Sequence, residues 1–142
     1  ETKMNSQEIA EKSSEIMWES DAASKWFGVK IESVAPGYAQ LTLPVEKQHC
    51  NGHGNCHGAV SFALADSAFA FACNSYNERC VAQHNMITYL RPILSGDVLN
   101  AEAREVSRSR NSGIYDVCVT NQEGKVCVEM RGFSRKVEGS LF

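Results

Sequence analysis

Basic runs are missing from this 142-residue chain: 14 Lys and Arg stand against 17 Asp and Glu, for a net charge of −3. With no basic stripe there is no electrostatic footprint for nucleic acid or an anionic membrane, and neither is expected as a partner. Apolar runs are short as well. The longest, Val60 to Cys73, falls below the ~18 residues of a membrane span and is interrupted by Asp66. The amino-terminal ETKMNSQEIAEKSSEIMW lacks the basic-then-apolar build of a signal peptide, and Met4 is a candidate native start after Glu1 to Lys3. Proline occurs three times, and there is no repeat, low-complexity tract or linker. One domain over residues 1–142 is therefore expected, with a helical amino-terminal segment at about 5–27.

Cysteine, by contrast, is plentiful: Cys50, Cys56, Cys73, Cys80, Cys118 and Cys127. The chain is longer than a disulfide scaffold, and three of the six lie in apolar periodic segments where free cysteine packs as a small hydrophobe. A reducing, cytoplasmic setting is the expectation.

Hydrophobic periodicity orders the elements. Asn5 can cap a first helix with Glu8 at the capping-box position, and a shorter helical piece, Asp21 to Phe27, stops at Gly28. VKIESV and YAQLTL then alternate with period two around Pro36-Gly37, which suits a type II turn. From about Gly58 to Tyr76 alanine is frequent and β-branched residues are rare, with apolar side chains on all sides; this predicts a helix enclosed by protein. Four strands follow, Cys80 to Leu90, Val98 to Val106, Ser112 to Thr120 and Lys125 to Lys136, with Gly124 in the last hairpin loop. No helix separates these strands, so the sheet should be antiparallel. The fold class is α+β, one curved sheet of about six strands around a long central helix.

Chemistry-bearing residues crowd into CNGHGNCHGAVSFALADSAFAFA, Cys50 to Ala72. Cys50, His53, Cys56 and His57 fall within eight residues, but no second ligand pair elsewhere completes a familiar zinc spacing. A Cys56–His57 dyad is disfavoured because chain neighbours rarely point at one another. Gly52, Gly54 and Gly58 allow tight turns, and Gly58 opens the buried helix, where free amides and the positive dipole end can hold an oxygen that becomes anionic. Glycine as plain loop punctuation is the alternative. Asp66 lies mid-helix, and no Lys or Arg occurs between Phe62 and Asn77 to pair with it. A carboxylate buried without a cation has a raised pKa, which suits a general base or nucleophile; a water-filled interface is the other possibility. Asp66 is eight residues beyond Gly58, a rise of about 12 Å. One small group cannot easily touch both ends within a chain, which points to a homodimer with sites at its interface.

NGHGNCHGAVSFALADSAFAFACNS resembles the signature of hotdog-fold acyl-CoA thioesterases of the phenylacetic-acid-degradation (PaaI) type. ITYLRPILSGD and GKVCVEMRGFSRKV resemble that family's later strands, so the likeness spans roughly Trp26 to Lys136. The resemblance implies hydrolysis of an aryl- or medium-chain acyl-CoA without metal or organic cofactor, in hotdog dimers that pair into tetramers. It implies that Asn51 and the Gly58 amide polarise the thioester carbonyl and that His57 holds the turn. Asp66 of the opposing subunit would attack the carbonyl or activate water.

Two departures stand out. His-Gly-Gly reads His57-Gly58-Ala59, and a Ser or Thr seen in several relatives near the start of the next strand is missing from CVAQHNMITY. That role is vacant or taken by Gln83, His84 or Asn85. Arg91, Arg108 and Arg110 are candidates for the CoA phosphates. Phe62, Phe69 and Phe71 could line an acyl pocket or fill the core. A non-catalytic acyl-CoA-binding or ligand-sensing domain is the rival reading, disfavoured by a desolvated acid that a pure binder does not need. A hydratase would want a histidine beside Asp66, and LADSAFAFA has none.

Overall fold

The computed structural model describes residues 3–142; Glu1 and Thr2, part of the stretch preceding Met4, lie outside the described residues. Helix α1 (Ser6–Glu19) begins where expected: Asn5 Oδ1 accepts the Glu8 N–H at 2.8 Å and the Glu8 carboxylate accepts the Asn5 N–H. Helix α2 (Ala22–Phe27) is capped by Asp21 and ends on Gly28, whose φ of 93° is the left-handed value that glycine tolerates. Strands β1 (Lys30–Ala35) and β2 (Tyr38–Pro44) turn about Gly37, φ 69°, as a type II turn requires.

The enclosed helix is α3 (Gly58–Cys73), followed by β3 (Cys80–Tyr89), β4 (Val98–Arg108), β5 (Ser112–Thr120) and β6 (Val126–Lys136). All six strands form one antiparallel sheet in the order β1-β2-β4-β5-β6-β3. Bulges in the β1, β3, β4 and β5 ladders add the bend that lets the sheet wrap the helix. Leu41 and Leu43, Leu99 and Ala101, and Val117 and Val119 face inward at period two, against Leu64, Ala65, Ala68 and Phe69 of α3. Among the described residues no helix is long and apolar enough to cross a membrane.

α3 ends three residues before the expected Tyr76, and Asn74 is the cause. Its buried amide Nδ2 donates to Ala70 O at 2.9 Å and Cys80 O at 3.1 Å, while Oδ1 accepts the Cys80 N–H at 2.9 Å. One side chain thus satisfies the last turn of the helix and the first residue of β3 together. Asn74→Ala leaves those groups buried and unpaired, so it should lower the unfolding free energy by about 1–3 kcal/mol. A shift in the urea midpoint at unchanged slope reads this out; an unmoved midpoint would show that the amide staples nothing.

Candidate active site

Between β2 and α3 the chain makes a 3-10 turn, Lys47–His49, and then the glycine-rich loop. Asn51 organises this loop from within: its Oδ1 accepts the N–H groups of His53 at 2.9 Å and Asn55 at 3.2 Å. With that oxygen occupied, the Asn51 NH2 is the end left to donate outward. His57 caps α3, its Nδ1 accepting the Ala59 N–H at 2.9 Å and its own N–H donating to His49 O at 2.8 Å. The ring thus satisfies one of the free amides at the start of the helix.

The Gly58 N–H is the first of the helix and has no acceptor among the described residues. On its other side the Gly58 carbonyl accepts from Ser61 Oγ at 3.2 Å and Tyr89 Oη at 3.0 Å. A Cβ at position 58 would stand 3.2 Å from the Tyr89 ring, so an added methyl would push that exposed ring back by a few tenths of an ångström. Asn51, Gly58, Ser61, Tyr89 and Arg91 line a cleft of about 370 Å³.

Asp66 is half-buried two turns along α3. Its Oδ1 accepts from Asn85 Nδ2 of β3 at 3.0 Å. Burial pushes the carboxyl above the ordinary carboxylate range, and the Asn85 hydrogen bond offsets part of that shift. Asn85 Oδ1 is itself buried and accepts nothing. Asp66 does not line the Gly58 cleft, so one chain holds the acid and the free amide apart.

The remaining candidates divide. Gln83 is exposed at the β3 bulge between Ala82 and His84, and the His84 ring packs on Phe133 with centroids 5.3 Å apart. Asn85, the third residue of that trio, is the one that reaches the acid. Arg91 stands in the Gly58 cleft, whereas Arg108 and Arg110 line a shallow hollow beside Cys73, at the far end of α3. Arg108 is already engaged, donating to Glu78 at 3.0 Å and stacked over the Tyr76 ring at 3.7 Å. Phe69 and Phe71 are core residues, and Phe62 packs half-buried against them. Tyr89 carries no sequence signal of its own, and only the fold brings it to the carbonyl of Gly58, whereas Ser61 reaches that carbonyl from one turn along the same helix.

A central helix wrapped by a six-stranded antiparallel sheet, with a helical segment before it, defines a hotdog-fold protein. The chain belongs to the thioesterase superfamily, whose profile matches residues 53–128. It is 41% identical to the acyl-coenzyme A thioesterase PaaI of Escherichia coli over 88% of this chain and 89% of the relative. The structure of that E. coli protein, from the phenylacetic acid degradation operon, superposes with a TM-score of 0.94 at 38% identity, covering 96% of this chain and 99% of the other. A hypothetical thioesterase of Streptococcus pneumoniae solved with coenzyme A is 27% identical, with a TM-score of 0.76 over 79% of this chain and 90% of its own.

Proposed function

We propose that the chain hydrolyses aryl- or medium-chain acyl-CoA thioesters to a carboxylate and free CoA. The observation that carries the reading is Asp66: a half-buried carboxylate inside an apolar helix, touched by an amide and by no cation. The Gly58 N–H and the Asn51 NH2 would take the thioester oxygen as it becomes negative. The named activity of the E. coli relative and the CoA held by the streptococcal one support the substrate class.

Asp66 acts as the general base in this reading. The carboxylate takes a proton from the attacking water as the water oxygen closes on the thioester carbon. Single turnover in H2¹⁸O tests this directly. A base places the label in the first molecule of acid released; an unlabelled first molecule would mean that Asp66 forms an acyl anhydride that water opens at the Asp66 carbonyl, and would overturn the base.

A second copy completes the site. β3 is one of the two sheet edges, paired among the described residues with β6 alone; it exposes Val81 at 49%, Met86 at 59% and Tyr89 at 52%, with Leu90 just beyond it at 56%. An open apolar edge of this kind is a place for strand addition, and a partner there supplies the acid to the amide that one chain keeps apart. The expected species is a homodimer, pairing further into a tetramer, in a reducing cytoplasm where the six cysteines rest as thiols. Met86→Lys should shift the light-scattering mass to the monomer and abolish turnover; an active monomer would refute the shared site. For the chemistry, a panel of aryl- and alkyl-CoAs is assayed by thiol release, and no turnover on any of them would overturn the enzyme reading.

A further inference from the structure

The two cysteines at the neck of the glycine-rich loop are not used by the proposed hydrolysis. Cys50 and Cys56 form an antiparallel β-bridge. Its hydrogen bonds run on either side of the pair, Asn51 N–H to Asn55 O at 2.7 Å and His57 N–H to His49 O at 2.8 Å. Cys50 and Cys56 are therefore a non-hydrogen-bonded cross-strand pair. In such a pair the Cα atoms are about 4.5 Å apart and both side chains leave the same face. That separation lies within the range a disulfide spans.

We infer that Cys50 and Cys56 are a reversible dithiol–disulfide site, oxidised by hydrogen peroxide, that closes the loop carrying Asn51. The step balances as follows: the Cys50 thiolate attacks the peroxide, the O–O bond breaks, hydroxide leaves, and Cys50 becomes a sulfenic acid. The Cys56 sulfur then attacks the Cys50 sulfur, the S–S bond forms, and water leaves with the Cys56 proton. Two thiols are oxidised and one peroxide is reduced to two waters.

The order of attack follows from the surroundings. Cys50 is half-buried, its Sγ 3.6 Å from Glu46 O, while Cys56 is buried with its Sγ 3.7 Å from His57 O. Burial and the neighbouring Cys50 push the Cys56 thiol up to about 11, so Cys56 resolves and does not initiate. Both contacts made by the sulfurs are weak S–H donations to backbone, which cost little to exchange for an S–S bond. The loop inside the link contains Gly52 and Gly54, the latter at φ 84°, and tolerates the small contraction at its neck.

The test uses the full chain, reduced, freed of reductant, exposed to hydrogen peroxide, alkylated after unfolding and digested with trypsin. Cleavage after Lys47, Arg79 and Arg104, with Arg91 protected by Pro92, puts Cys50, Cys56 and Cys73 in one peptide and Cys80 in the next. The expected product is the 48–79 peptide with one alkyl group, on Cys73, and two hydrogens fewer, reverted by dithiothreitol. Cys56→Ser should accumulate a Cys50 sulfenic acid that a dimedone probe labels, and Cys50→Ser should form no link. Three alkyl groups on that peptide, or a link between Cys73 and Cys80 alone, would overturn the assignment. The readout is mass, so it stands or falls separately from the hydrolytic reading.

Discussion

Asp66→Asn is expected to lower kcat for acyl-CoA hydrolysis by about 10²–10⁴-fold, the range a positioned general base supplies. The substitution keeps the side-chain volume and a hydrogen-bonding partner for Asn85 but removes the proton acceptor. KM should change little, because the cleft residues Asn51, Gly58 and Arg91 are untouched. Equal kcat in the two proteins would remove Asp66 from the chemistry.

Two further readouts separate loss of chemistry from loss of fold. The Asp66 carboxyl titrates above its ordinary value because burial disfavours the charge. The active form is the ionised one, so kcat in the wild type falls as pH is lowered through that raised pKa. The stability consequence has the opposite sense. A carboxyl whose folded pKa exceeds its unfolded pKa binds more protons when folded, so its contribution favours folding at low pH and is lost as pH rises through the folded value. At neutral pH the native protein therefore carries a cost that Asp66→Asn removes. The variant should melt at the same temperature as the wild type or higher, while almost inactive. A variant that is both inactive and less stable would reassign Asp66 to structure.

Local signals placed most of the elements. Asn5 with Glu8, Gly28, and Pro36-Gly37 each mark a boundary through backbone chemistry that needs no distant partner, and the alternation in β4 and β5 follows from having one buried face. Asp66 was legible because a lone acid among alanines and phenylalanines has no structural excuse. What stayed hidden depends on long-range register. The β3 bulge between Ala82 and His84 resets which residues face α3, so CVAQHNMITY alone leaves Gln83, His84 and Asn85 equivalent. Only the ladder to β6 turns Asn85 onto Asp66. In the same way, Arg108 looks like a free phosphate ligand until the fold brings it to Glu78, thirty residues away in the chain. The early end of α3 is a third case, since Asn74 terminates the helix by bonding to Cys80 across a loop whose course the sequence does not state.

Phe69→Ala is expected to cost about 3–5 kcal/mol of unfolding free energy, the largest stability effect of any substitution proposed for this chain. Phe69 is fully buried, and its ring meets Tyr115 of β5 edge-on with centroids 5.6 Å apart. The ring also lies flat against the backbone of β6: a Cβ at Gly132 would stand 2.8 Å from Phe69 Cδ2 and Cε2. Helix-to-sheet spacing is thus set here by one ring on one glycine. Gly132→Ala should cost about 1–3 kcal/mol by overpacking, because Tyr115 blocks the retreat of the ring. The pair carries a sharper expectation. If both penalties arise at the same contact, Phe69→Leu with Gly132→Ala must cost less than the two single changes added together, by about 0.5–3 kcal/mol. Urea unfolding at one fixed protein concentration measures all four corners of this cycle, since self-association shifts the midpoint with concentration. Strict additivity would mean that glycine is at position 132 for another reason and that the sheet, rather than the ring, keeps the helix at its distance.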